Sequence, residues 1–158
     1  MTVRETFDPL ESAQRLEEDL REVSRFSGPG PGVTRFSFTP EYRAALSYLE
    51  EDFARIGFAT YYDPVGNFVA SNVPAGQGCV ALGSHVDSVP NGGQFDGTAG
   101  VVCALEVARL IPDEPLKIFS FVEVEGSRFG SDILGSRCAV GAVSEEDLRG
   151  YNSEFQCS

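Results

Sequence analysis

His85 and Asp87 stand one residue apart in Gly83-Ser84-His85-Val86-Asp87, and a second carboxylate, Asp96, follows the glycine-rich turn Asn91-Gly92-Gly93. His85 is the only histidine in the chain. Side chains two apart on extended backbone share a face. The Asp87 carboxylate therefore belongs beside the imidazole, where it can hold one ring nitrogen and leave the other free for a metal ion. A further acidic cluster, Glu123-Val124-Glu125-Gly126, ends a separate apolar run. One imidazole and two carboxylates, from His85, Asp96 and Glu125, make a donor set suited to Zn²⁺ or a similar borderline ion such as Mn²⁺ or Co²⁺. A carboxylate can also bridge two ions and place water between them as a nucleophile. Taken singly, each feature is ordinary: a His-x-Asp pair, a glycine-rich turn and acidic residues at strand ends all occur as plain solvated loops.

The elements that must position these residues can be read from the flanking sequence. Cys79-Val80-Ala81-Leu82 is a short apolar run that predicts a buried strand stopping at Gly83, so that His85 and Asp87 project from its carboxyl end. The apolar run from Thr98 to Leu110 has helical length and predicts a buried helix, closed by Pro112. Leu116 to Val122 is the next strand. Strand, helix and strand form a βαβ unit with parallel strands, and open α/β sheets bind ligands outside the carboxyl ends of their strands. His85 and Glu125 both fall at such ends, and Asp96 opens the connecting helix.

Upstream, Leu10, Ala13, Leu16, Leu20 and Val23 recur at helical spacing and predict an amphipathic helix over 10–26, ended by the loop Ser27-Gly28-Pro29-Gly30-Pro31-Gly32. Thr39-Pro40 is a cap followed by a first-turn proline, and Tyr42, Leu46, Leu49, Phe53 and Ile56 form one apolar stripe as far as Gly57. Segments 58–62 and 67–71, separated by Asp63-Pro64, read as a hairpin. Downstream, 131–140 reads as a short helix, and Ser144-Glu145-Glu146-Asp147 resembles a capping box opening another. The fold class expected is α/β, an open mixed sheet with helices on both faces.

The 158 residues suffice for one domain with a sizeable core, and 42% apolar content is ordinary for a globular chain. Twelve basic against twenty-four acidic residues give a net charge of -12, which argues against nucleic acid and anionic membranes as partners. The charged N-terminus lacks an apolar core segment of the kind secretion uses, so a cytoplasmic location is expected. Cysteines 79, 103, 138 and 157 form no Cys-x-x-Cys pair and read as core or free thiols.

The run from Gly83 to Gly97, together with Glu125-Gly-Ser-Arg-Phe-Gly130, Leu134-Gly-Ser-Arg137, Gly32-Val-Thr-Arg35 and Asp63-Pro-Val-Gly-Asn67, resembles the hydantoinase/carbamoylase family of amidases. That group includes N-carbamoyl-L-amino acid hydrolase, allantoate amidohydrolase and β-ureidopropionase, within the dinuclear-zinc peptidase superfamily. The resemblance runs from about residue 10 to residue 150. It implies His85 as ligand of one metal, Asp96 as the bridging ligand, Glu125 as ligand of the other metal, and Asp87 as the residue that orients His85. The implied reaction is attack of metal-activated water on a ureido or amide carbon, breaking a C–N bond that is not a peptide bond. A small ureido or carbamoyl substrate, two ions and a homodimer are implied for the complete family fold.

Two departures stand against the family pattern. The family's general base is the Glu immediately before the ligand Glu, and Val124 occupies that position. Glu123 is one residue away, but adjacent side chains on extended backbone face opposite sides, so it is a poor substitute unless a bulge re-aims it. Family members are also considerably longer, with further histidine ligands in the parts not matched here. The chain, 1–158, is thus expected to be the N-terminal portion of a metallo-amidohydrolase catalytic domain, truncated or degenerate, with impaired activity and an uncovered sheet edge. A non-catalytic remnant or interaction module and a metallo-exopeptidase are the alternatives. Gly126-Ser-Arg-Phe argues against the exopeptidase.

Overall fold

A computed structural model describes residues 7–74 and 76–145. Helix α1 spans Pro9–Arg25, α2 Pro40–Arg55, α3 Thr98–Leu110 and α4 Leu134–Ala139; strands β1 to β4 span Ala59–Tyr62, Phe68–Ser71, Val80–His85 and Leu116–Phe121. The Asp8 carboxylate accepts the Leu10 and Glu11 N–H groups at the start of α1, and Thr39 Oγ1 accepts that of Tyr42 in α2. Each cap is followed by a proline whose missing N–H would have had no helical partner.

The sheet has the order β1-β2-β4-β3. β1, β2 and β4 are joined antiparallel, whereas β3 and β4 run parallel across the α3 crossover. Phe68, Ala70 and Ile118 on one sheet face share a single core with Leu46, Leu49 and Phe53 of α2 and with Val101 and Leu105 of α3. On β4 the buried residues Leu116, Ile118 and Ser120 alternate with half-buried Lys117, Phe119 and Phe121. That period of two is what one packed face imposes.

Two expectations about β3 are corrected. The strand does not stop at Gly83; it continues through Ser84 to His85, each residue in register with β4. Gly83 keeps an ordinary strand conformation, and the Phe121 ring lies where its Cβ would be, 2.6 Å away. Nor is the strand buried: Val80 is 59% exposed, and only His85 is buried. β3 lies at the sheet's edge with β4 as its one strand neighbour among the described residues, which leaves its outer side unpaired. Cys79 and Cys103 are exposed and Cys138 is half-buried, so none of these thiols sits in the core; Cys157 lies outside the described residues. The expected capping box at 144–147 also runs beyond them. No described helix is long and apolar enough to cross a membrane.

Candidate metal centre

Parallel pairing brings the carboxyl ends of β3 and β4 side by side, with His85 opposite Phe121. The chain after β4 then carries Glu125 back toward β3, where its N–H donates to Asp87 Oδ2 at 3.0 Å. That bond ties the two strand ends together. His85 Nδ1 lies 3.0 Å from the Asp87 carbonyl oxygen and 3.6 Å from its carboxylate. Asp87 thus holds the ring first through its backbone, with a 1% exposed carboxylate behind. If Nδ1 carries the proton it donates to that carbonyl, and Nε2 presents its lone pair to the cluster.

Nε2 is 3.6 Å from Glu125 Oε1 and 3.9 Å from Asp96 Oδ1. Ligand atoms of all three residues lie within 4.8 Å of one another. These separations are too long for hydrogen bonds, but two donors bound tetrahedrally to one zinc ion stand about 3.4 Å apart. Asp96 reaches the cluster because Gly97 turns the chain with φ 62 immediately before α3. A Cβ at Gly97 would lie 2.3 Å from His85 Cε1, so only glycine lets the helix start approach the ring this closely.

The electrostatics favour an added cation. Burial pushes the Glu125 carboxyl above its usual range, and the neighbouring Asp96 charge pushes it the same way. For His85, burial works against the imidazolium, but hydrogen bonding and charge from Asp87, with Glu125 beyond, outweigh it and leave its pKa raised. A divalent ion would relieve both effects. One imidazole nitrogen and two carboxylates that converge while repelling each other fit Zn²⁺, Mn²⁺ or Co²⁺.

Glu123 does not join them. It is 1% exposed with φ 55, and its Oε1 accepts the N–H groups of Arg128 and Phe129 at 2.8 and 2.7 Å. Its carboxylate therefore braces the 126–129 turn, while its own N–H donates to Ser37 Oγ. Val124, half-buried, offers no proton acceptor on its side chain. Arg35 and Asn67 lie within the sequence motifs, but their residue types and spacing there point to no chemistry of their own. Arg35 is buried against Val86, and Asn67 Oδ1 accepts the Val122 N–H, so both support the strand ends from behind. A cavity of about 220 Å³ lined by Phe38, Tyr42, Arg43, Leu46, Tyr62 and Gly66 shares no residue with the cluster.

No family model matches the chain. Among characterised relatives, it is 43% identical over 148 residues to the N-carbamoyl-L-amino-acid amidohydrolase of Paenarthrobacter aurescens, covering 86% of this chain and 35% of that protein. It is 36% identical over 143 residues to a ureidoglycolate hydrolase of Oryza sativa subsp. japonica, covering 85% and 29%. A crystal structure of a hydantoinase/carbamoylase family amidase from Burkholderia ambifaria superposes with a TM-score of 0.80 at 33% identity, over 90% of this chain and 38% of that one. The chain thus spans about a third of the length of the curated relatives it matches.

Proposed function

The chain corresponds in sequence and in fold to the N-terminal portion of hydantoinase/carbamoylase family amidases, and from that premise we propose that it carries the metal-holding part of an amidohydrolase. The reaction is hydrolysis of a non-peptide C–N bond in an N-carbamoyl amino acid or another small ureido compound. The observation that carries this reading is the convergence of His85, Asp96 and Glu125, from three separate segments, within 4.8 Å at the carboxyl ends of parallel strands.

In this reading His85 Nε2 and the carboxylates of Asp96 and Glu125 would hold the metal. Bound divalent cations supply Lewis acidity for the scissile carbonyl and lower the pKa of attacking water. Asp87 fixes the imidazole through Nδ1 and anchors Glu125 through its N–H, so both donors are tied to one residue. Proton acceptance does not fall to Val124, which cannot take a proton, and Glu123 Oε1 is held by two backbone N–H groups of the 126–129 turn.

A second reading, a metal-binding portion without turnover, is favoured by Val124 and by the presence of a single histidine in the sequence. One experiment separates the two. The purified chain, supplied in turn with Zn²⁺, Mn²⁺ and Co²⁺, is given N-carbamoyl amino acids and ureidoglycolate, with ammonia release and bound metal measured together. Metal-dependent ammonia release that disappears in His85→Ala supports the amidohydrolase. Bound metal without release supports the second reading, and neither metal nor release contradicts both.

A further inference from the structure

We propose that Arg35 is a positioning residue for the His85, Asp96 and Glu125 cluster: its buried guanidinium clamps the strand end bearing His85 and Asp87 to the helix start that follows Asp96. The proposal rests on the metal reading above for its purpose, but the clamp itself can be tested without metal.

Arg35 is 1% exposed and spends its donors in three directions. Nε donates to the carbonyl of Val86, the residue between His85 and Asp87, at 2.6 Å. Nη2 donates to Thr98 Oγ1 at 2.9 Å, at the first residue of α3 and two beyond Asp96. Nη1 donates to the carbonyls of Val23 and Phe26 at 2.6 and 3.0 Å, which fixes the guanidinium to the end of α1. The backbone adds a second tie, since the Arg35 N–H donates to Ser88 Oγ and the Ser88 N–H donates to the Arg35 carbonyl. Residues 86 and 88 are therefore both held from one position, on either side of Asp87.

No carboxylate hydrogen-bonds this guanidinium among the described residues. Burial pulls its pKa down to about 10, with the Asp87 charge acting the other way. A buried cation satisfied mainly by neutral acceptors is costly, and an apolar side chain could fill the volume without that cost. What an apolar side chain cannot do is bridge a carbonyl of one segment and a hydroxyl of another at fixed angles. Lysine, with donors on one nitrogen, cannot span the same set. The gap being bridged is the one across which His85 Nε2 and Asp96 Oδ1 stand 3.9 Å apart. Supporting residues that orient metal ligands typically contribute about 10 to 100-fold in metal affinity.

Because His85 is the only histidine, its ring protons give isolated NMR signals. Gly97 packs against that ring, so a nuclear Overhauser contact between His85 Hε1 and the Gly97 Hα protons reports the clamp in the metal-free chain. Three variants are compared with wild type: Arg35→Lys, Thr98→Val, which removes one end of the clamp at nearly constant shape, and Leu46→Ala, a core truncation away from the cluster. Urea midpoints, the His85–Gly97 contact and calorimetric Zn²⁺ affinity are measured on each. The expected result is a weakened contact and about tenfold or greater loss of Zn²⁺ affinity in Arg35→Lys, a smaller loss in Thr98→Val, and an unchanged contact and affinity in Leu46→Ala despite its lower urea midpoint. The proposal is overturned if the contact persists in both clamp variants, or if all three variants lose affinity in step with stability. Should wild type bind no Zn²⁺, the metal reading fails, and the Overhauser contact alone decides the clamp. If Arg35→Lys does not fold, Thr98→Val carries the comparison.

Discussion

Between α1, α2 and α3, three buried carboxylates are matched by three guanidiniums, whereas at the ends of β3 and β4 three carboxylates surround one imidazole with no arginine ion pair among the described residues. In the helical cluster Arg109 reaches Asp19 at 2.5 Å and Asp52 at 2.6 Å, Arg15 holds Glu106 at 2.6 Å, and Arg55 pairs with Asp52. Asp19, Asp52 and Glu106 are each at most 6% exposed. At the strand ends Asp87, Asp96 and Glu125 have His85 as their only ion-pairing partner among the described residues, and Asp96 points largely into solvent. An acidic cluster with its own counter-ions is finished scaffold. The strand-end cluster has no arginine among its ion-pair partners in the described residues, and that is the charge imbalance the proposed cation would offset.

The largest effect that tests this contrast lies in the helical cluster. Arg109→Ala leaves Asp19 and Asp52 buried without their shared partner, and breaking a buried pair in this way costs about 3–5 kcal/mol. Urea denaturation should show that loss; a loss under roughly 1 kcal/mol, the range of exposed pairs, would mean the network is no scaffold. Next comes Val124→Glu, which adds a carboxylate where the family resemblance places the base. In a fusion to the remaining portion of the Paenarthrobacter amidohydrolase, hydrolysis of N-carbamoyl amino acid should rise about a hundredfold over the Val124 version. Equal rates in two metal-loaded fusions would show that another group accepts the proton.

The smallest effect is the most diagnostic, because the two clusters should respond to pH with opposite sign. Burial raises the pKa of Glu106, but the hydrogen bonds from Arg15 and Ser12 outweigh it and leave it below the usual value. Its stabilising contribution is therefore present above the unfolded-state pKa and lost as pH falls through the folded one. Glu125 is raised, so its ionised form penalises the folded state at neutral pH, and that penalty vanishes as pH falls below the unfolded-state value. Without metal, Glu106→Gln should be less stable than wild type at pH 7 and Glu125→Gln more stable, with both gaps closing in acid. Urea midpoints from pH 7 to below the carboxylate range check both, and gaps of the same sign would erase the distinction.

The two clusters also differ in how far they could be read from sequence. His85-x-Asp87, Asp96 before a glycine and Glu125 at the end of an apolar run were legible because each sits at an element boundary, and the βαβ pattern brings such boundaries together. Thr39-Pro40 was legible for a similar reason, since cap chemistry is local. The helical cluster was not, because Arg109 meets partners 90 and 57 residues away. On their own helices these acids look like solvated face. Glu123 shows a different limit: extended-strand alternation faces it away from Val124, but its own φ of 55 leaves strand geometry and its Oε1 accepts N–H groups of the 126–129 turn. The exposure of β3 was not legible because a run of four apolar residues suits a strand buried on both faces, and the run does not reveal that the strand lies at the sheet's edge.

The central claim, that His85, Asp96 and Glu125 form a site completed by a cation, is tested most directly by calorimetric titration of the metal-free chain with Zn²⁺, beside the His85→Ala/Asp96→Ala double variant and at pH values on either side of the His85 titration. The account predicts binding in wild type that strengthens as pH rises, because the raised His85 and Glu125 protons must leave for the metal to enter, and that is lost in the double variant. Zn²⁺ binding of undiminished affinity in the double variant would place the metal elsewhere and contradict it.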